Sequence, residues 1–202
     1  MSLVPLVINE EFISEEQIQK LYSDNPFRVI VFKNCQFNFP EESDENFRFK
    51  ESVFENCTFL FARPYIEFYD CDFNGISSIR NTGNGDEYQV VFLLCKAEKT
   101  ELLKVSSTSI LFKKCSVKTE DVLFLDGNKV LIQKSVVKGK VRFDVYSELI
   151  VDESVFVDFS IAEASVTGLN PALSVNQTLI NGEFVDIGAT DLSGLAEINM
   201  KM

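Results

Sequence analysis

Apolar residues recur along this chain in one short pattern, apolar-x-Phe-x-x-Cys-x-Phe and close variants of it. The pattern stands as VIVFKNCQF at 29–37, ESVFENCTF at 51–59, YIEFYDCDF at 65–73, QVVFLLCKA at 89–97 and SILFKKCSV at 109–117. KVLIQKSVV (129–137) and ELIVDESVF (148–156) repeat it with Ser in the Cys place, and ALSVNQTLI (172–180) repeats it with Thr178 there. The steps between these Cys, Ser and Thr positions are 22, 14, 24, 20, 20, 19 and 24 residues. A period near 20 with small or apolar residues at fixed offsets is the signature of a solenoid. The 14-residue step is too short for one three-sided coil of that size.

Within the first copy the inward residues are Ile30, Phe32, Cys35 and Phe37. Alternation by two holds on either side but slips by one between Phe32 and Cys35, so Lys33 and Asn34 both point outward. This predicts two short strands meeting at a corner in every copy. Asn34, Asn56 and Asp70 fall in the bend, where Asn and Asp tolerate a left-handed backbone. The cysteines read as small buried hydrophobes stacked in a ladder about 4.8 Å apart. No two lie closer than 14 residues, which excludes a C-x-x-C zinc site, and Ser or Thr in later copies argues against a disulfide framework.

The Asn-bearing corner and the loose coils of 19–24 residues resemble the right-handed parallel β-helix of the pectate-lyase-like superfamily. The spacing Phe32-x-x-Cys35-x-Phe37, repeated at Phe54–Phe59 and Phe68–Phe73, is also similar to pentapeptide-repeat proteins, whose coils are four-sided. The five-residue register is lost elsewhere in the coil, where Val141, Phe143 and Val145 alternate by two, and this favours the first resemblance. Both are likenesses of architecture. The expected fold is all-β: a single-stranded, right-handed parallel β-helix of about eight coils over 27–181. Residues 1–26 form an N-terminal cap and 182–202 a final coil or cap of the same domain. Ser14-Glu15-Glu16-Gln17 is a capping-box pattern that opens a short helix to about Ser23, with Ile18, Leu21 and Tyr22 inward. Asn25-Pro26 ends that helix. The acidic stretch 40–46 and the Gly/Asn stretch 81–86 read as surface loops, since the second lacks the spaced carboxylates of an EF-hand and the Lys of a P-loop.

Composition narrows the function. The chain has 202 residues, 19 Phe and no His, so the commonest general base and metal ligand is missing. Net charge is −12, unevenly spread: nine cations face six acids over 101–150, whereas one cation faces eight acids over 151–202. An acidic chain is repelled by nucleic acid and by anionic membrane, so neither is expected as a partner. No signal peptide or membrane span is visible, and five Cys without a secretory signal suggest the cytoplasm.

One position goes beyond packing. Four residues before each Cys or Ser, on the outward side, stand Val31, Val53, Glu67, Val91, Leu111, Leu131 and Ile150, an aliphatic stripe broken only by Glu67. Contiguous apolar stripes of this kind mark an interface with another protein or are covered by the chain's own termini or loops. A small basic patch accompanies it: Lys114 and Lys134 are one coil apart, as are Lys118 and Lys138, with Lys113 beside them. No cofactor and no catalytic residue is expected, because no acid pair converges; Asp70 and Asp72, the nearest pair, point in different directions. The expected function is a non-catalytic protein-binding solenoid, an inhibitor or immunity protein being one form of it. Alternatives are a structural component that self-assembles through the stripe, an acidic DNA mimic of the pentapeptide-repeat kind, and a carbohydrate-active enzyme.

Overall fold

A computed structural model describes residues 4–9, 12–39, 45–83, 89–161 and 172–190. The fold is an all-β parallel solenoid of about eight turns with one short helix at the N-terminus. Strand pairing sorts the chain onto three faces. Face 1 stacks Phe47–Lys50, Ile66–Tyr69, Val90–Leu93 and Ser109–Lys113, then 129–133, 148–152 and 172–176. Face 2 stacks Leu6–Ile8, Ile30–Lys33 and Ser52–Glu55, then 72–74, 96–98, 116–118, 136–138, 155–157 and 178–180. Face 3 stacks Phe12–Ile13, Gln36–Phe39 and Thr58–Phe61, then 76–81, 102–106, 122–126, 141–145 and 160–161. The coil is therefore three-sided.

Two of the three corners are sharp. Corner A, between faces 1 and 2, has positive φ at Glu51, Asp70, Leu94, Lys114, Lys134, Glu153 and Gln177. Corner B, between faces 2 and 3, has it at Asn34, Asn56, Gly75, Gly139, Asp158 and Asn181. The bends expected at Asn34, Asn56 and Asp70 are present, but Leu, Lys and Glu take the same left-handed backbone further along. The ladder of neighbouring coils imposes it, since most of these corner amides donate to the next coil, as from Asn34 N to Glu55 O at 2.8 Å and from Asp70 N to Leu93 O at 2.9 Å. Gly75 is required where it stands. Its φ is +65°, and a Cβ there would fall on the Asn56 Oδ1.

The short step now has a cause. Phe47-Arg48-Phe49-Lys50-Glu51-Ser52-Val53-Phe54 is itself a copy of the motif, with Ser52 in the Cys place. It overlaps the next copy by sharing Phe54, which lies two residues after Ser52 and three before Cys57. Cys35 and Cys57 therefore sit at corner B, while Ser52, Cys71, Cys95, Cys115, Ser135, Ser154 and Thr178 form a separate ladder at corner A. From Ser52 to Cys71 is 19 residues, one ordinary coil.

Reading the cysteines purely as small hydrophobes also needs correction. Every member of both ladders donates to the carbonyl two residues back, from Cys35 Sγ to Lys33 O at 3.2 Å through Ser154 Oγ to Asp152 O at 2.8 Å. The late members also accept from the preceding coil's amide: Cys115 N to Ser135 Oγ is 3.0 Å and Ser135 N to Ser154 Oγ 3.2 Å. The position selects a small side chain with a donor, and Cys, Ser and Thr all qualify.

Inside the bore the phenylalanines stack coil on coil. Phe49, Phe68, Phe92 and Phe112 form a face-1 column with ring centroids 5.0, 5.1 and 4.3 Å apart. Phe32, Phe54 and Phe73 form a face-2 column at 5.4 and 5.3 Å. Rings of the two columns meet edge-on, as at Phe49–Phe54 (5.4 Å, 89°), the geometry aromatic quadrupoles favour.

The helix, Glu15–Asp24, occupies the place of a face-1 strand in the first coil. Its capping box is made on both sides: Gln17 N donates to Ser14 Oγ and Ser14 N to Gln17 Oε1. Ile18 is buried, and Leu21 and Tyr22 pack partly against the core. The Tyr22 hydroxyl bonds Ser52 Oγ at 2.9 Å, and Arg63 pairs with Glu15. At the other end Glu183–Thr190 turns back antiparallel over 172–180. Residues 40–44 and 84–88, which hold most of the two expected loops, and 191–202 lie outside the described residues.

Candidate interaction surfaces

The overlap at Ser52 divides the expected aliphatic stripe. Val31 and Val53 lie on face 2, and there Val53 pairs in register with Asp72, then Lys96 and Ser116. Val91, Leu111, Leu131 and Ile150 lie in strict register on face 1, preceded by Arg48 and Glu67. A six-member stripe on one face is thus replaced by two runs on different faces. Only the face-1 run is continuous over four coils. Leu111, Leu131 and Ile150 are half-buried, whereas Val91 is buried, at 6% exposure.

Face 1 is more apolar than the stripe alone suggests. Leu93 stands beside Val91, and Leu94 at corner A is 38% exposed. The signal was present in QVVFLLCKA, the one copy with two Leu where the others carry a polar or charged residue on at least one side. The patch has a charged border. At its N-terminal end Arg48 pairs with Glu67 at 2.9 Å and lies over the Tyr69 ring at 4.4 Å. Toward the third corner, Lys129 pairs with Glu148 at 2.9 Å.

The basic patch is brought partly against this surface. Lys113 is on face 1, and Lys114 and Lys134 follow Leu94 on corner A. Lys118 and Lys138 pair in register on face 2 and look away from the aliphatic run. Two of the five are tied to acids of the next coil, Lys134 to Glu153 at 3.4 Å and Lys138 to Asp158 at 2.8 Å.

Other features were not legible in the sequence. A polar groove of about 240 Å³ crosses the corner between faces 3 and 1, with Arg80, Ser106, Asp126, Asn128 and Tyr146 among its lining. On face 3, Phe124 is held between Lys104 and Arg142, whose charges lie 5.0 and 4.9 Å from the ring centroid. At the N-terminal end Val7, Phe12, Phe27 and Val29 are exposed.

Titratable groups follow burial. Asp72, half-buried on face 2, has its carboxyl raised by burial, opposed by Lys96 and reinforced by Asp70 and Glu98. Burial pushes the Cys57 thiol up to about 12 and Cys95 well above the ordinary range; Cys115 is raised by its bond with Cys95 and by burial. Among the described residues no three His, Cys, Asp or Glu side chains group as metal ligands do, and no helix is long and apolar enough to cross a membrane.

No protein-family model matches the chain, and no match was found among curated proteins or solved structures. The architecture is that of a parallel β-solenoid.

Proposed function

We propose that this chain is a non-catalytic protein-binding solenoid that engages a partner through face 1. The observation that carries the reading is the unbroken outward run of Val91, Leu111, Leu131 and Ile150, widened by Leu93 and Leu94 and edged by lysines at corner A. Solenoids present extended surfaces to partners, and an apolar patch with a polar rim is the usual mark of such a surface. The partner it fits has an apolar strip bordered on one side by carboxylates. A DNA mimic is less well supported, because the outward rows of faces 1 and 2 mix aliphatics with both charges and hold no run of acids.

Capture of the tagged full chain from its native cells tests the reading, run beside a Leu131→Lys/Ile150→Lys variant shown to be folded by circular dichroism. A stoichiometric protein held by the wild type and lost from the variant supports it. The same protein held equally by both overturns the assignment to face 1. Recovery of the bait alone overturns binding to another protein.

A further inference from the structure

Corner A carries, coil after coil, Glu51, Asp70, Leu94, Lys114 and Lys134, all exposed and all in left-handed backbone. Hydrogen bonds from Glu51 N to Tyr69 O, Asp70 N to Leu93 O, Leu94 N to Lys113 O and Lys114 N to Gln133 O hold them one coil apart. Outward from Leu94 the row reads acid, acid in one direction and base, base in the other. Such a row is complementary to its own reverse.

We propose that two copies of this chain pair face 1 to face 1, antiparallel along corner A, about a two-fold axis at Leu94. The axis sets Leu94 and Leu93 against their counterparts. It sets Asp70 against Lys114 of the second copy and Glu51 against Lys134, each contact occurring twice, as an isologous interface requires.

Three further observations support this occupant. Glu51, Asp70 and Lys114 have no ion pair within their own chain among the described residues, and Lys134 exchanges its exposed 3.4 Å contact with Glu153. Arg48 and Glu67, which would face Leu131 and Leu111 of the second copy, already neutralise each other at 2.9 Å. Asp70 adds to burial in raising the half-buried Asp72 carboxyl, against Lys96, and a lysine from the second copy offsets that contribution. Five coils at about 4.8 Å span roughly 20 Å, and a five-residue face-1 strand at about 3.3 Å per residue spans roughly 17 Å, so the strip covers about 340 Å², well short of the ~800 Å² per partner of a standard interface; the pairing is weak and sensitive to concentration and salt. The inference deepens the face-1 binding reading by naming one occupant, and it can fail while that reading stands.

Sedimentation equilibrium of the purified full chain, over a range of concentrations at low and high salt, tests it. The variants are Asp70→Lys, Lys114→Asp, the two combined, and an equimolar mixture of the two single variants. The corner already holds Asp and Lys in the same backbone, so neither exchange strains it. The wild type dimerises with concentration, less so in high salt. Each single reversal brings like charges together twice and weakens association about tenfold or more. The double variant and the mixture restore it. A wild type monomeric throughout, a reversal without effect, or a mixture as weak as its components would overturn the pairing. None of these outcomes touches capture of a different protein through Leu131 and Ile150.

Discussion

The Ser135 amide donates to the Ser154 Oγ one coil above it, at 3.2 Å, while the Ser154 hydroxyl donates to Asp152 O at 2.8 Å. One hydroxyl thus closes its own corner and satisfies the neighbouring one. Ser154→Ala removes both functions inside the core and costs about 1–3 kcal/mol, the range for orphaning a buried polar group. Ser154→Cys keeps a donor and costs less. Urea unfolding of the two variants checks the order.

The corners offer the opposite test. Gln177 is exposed at φ 44° and holds the left-handed backbone without Gly or Asn. Gln177→Asn relieves part of a penalty of about 1–2 kcal/mol and raises the unfolding midpoint. Gly75→Ala adds a Cβ onto Asn56 Oδ1 at the same kind of backbone and lowers it.

Phe68 sits between Phe49 and Phe92 with stacked centroids 5.0 and 5.1 Å away and is fully buried. Phe68→Ala opens the column at its centre and costs about 3–5 kcal/mol. The loss reads out as a lower denaturant midpoint.

The buried thiols of Cys57, Cys95 and Cys115 make stability depend on alkaline pH. An unfolded Cys titrates near 8.5, whereas burial holds Cys57 at about 12. A folded value above the unfolded one means that the stability contributed is complete below about 8.5 and is lost as pH rises toward 12. The melting temperature falls across that window, and a thiol reagent at neutral pH labels the chain only after denaturant is added.

Much of this was legible in the chain because the inward positions repeat with the same residue types. Phe32, Cys35 and Phe37 are buried as their spacing requires, and Asn34 bends as its residue type allows. The overlap at Ser52 was not legible. That copy has Ser where its neighbours have Cys, and Phe54 serves two motifs at once. Cysteine spacing alone therefore puts Val31 and Val53 in line with a stripe that begins at Val91 on another face. Nor does spacing distinguish a buried Cys that only fills space from one that donates to a carbonyl. The Ser and Thr substitutions were the clue.

Binding through face 1, rather than through face 3 or the polar groove beside it, is the proposal most open to direct test. Hydroxyl-radical footprinting of the free chain and of its captured complex compares them directly, since Leu, Ile, Phe and Tyr side chains all report. Binding through face 1 protects Leu111, Leu131 and Ile150 and leaves Phe124 and Tyr146 unchanged. Protection of Phe124 and Tyr146 with the face-1 aliphatics still oxidised would contradict it.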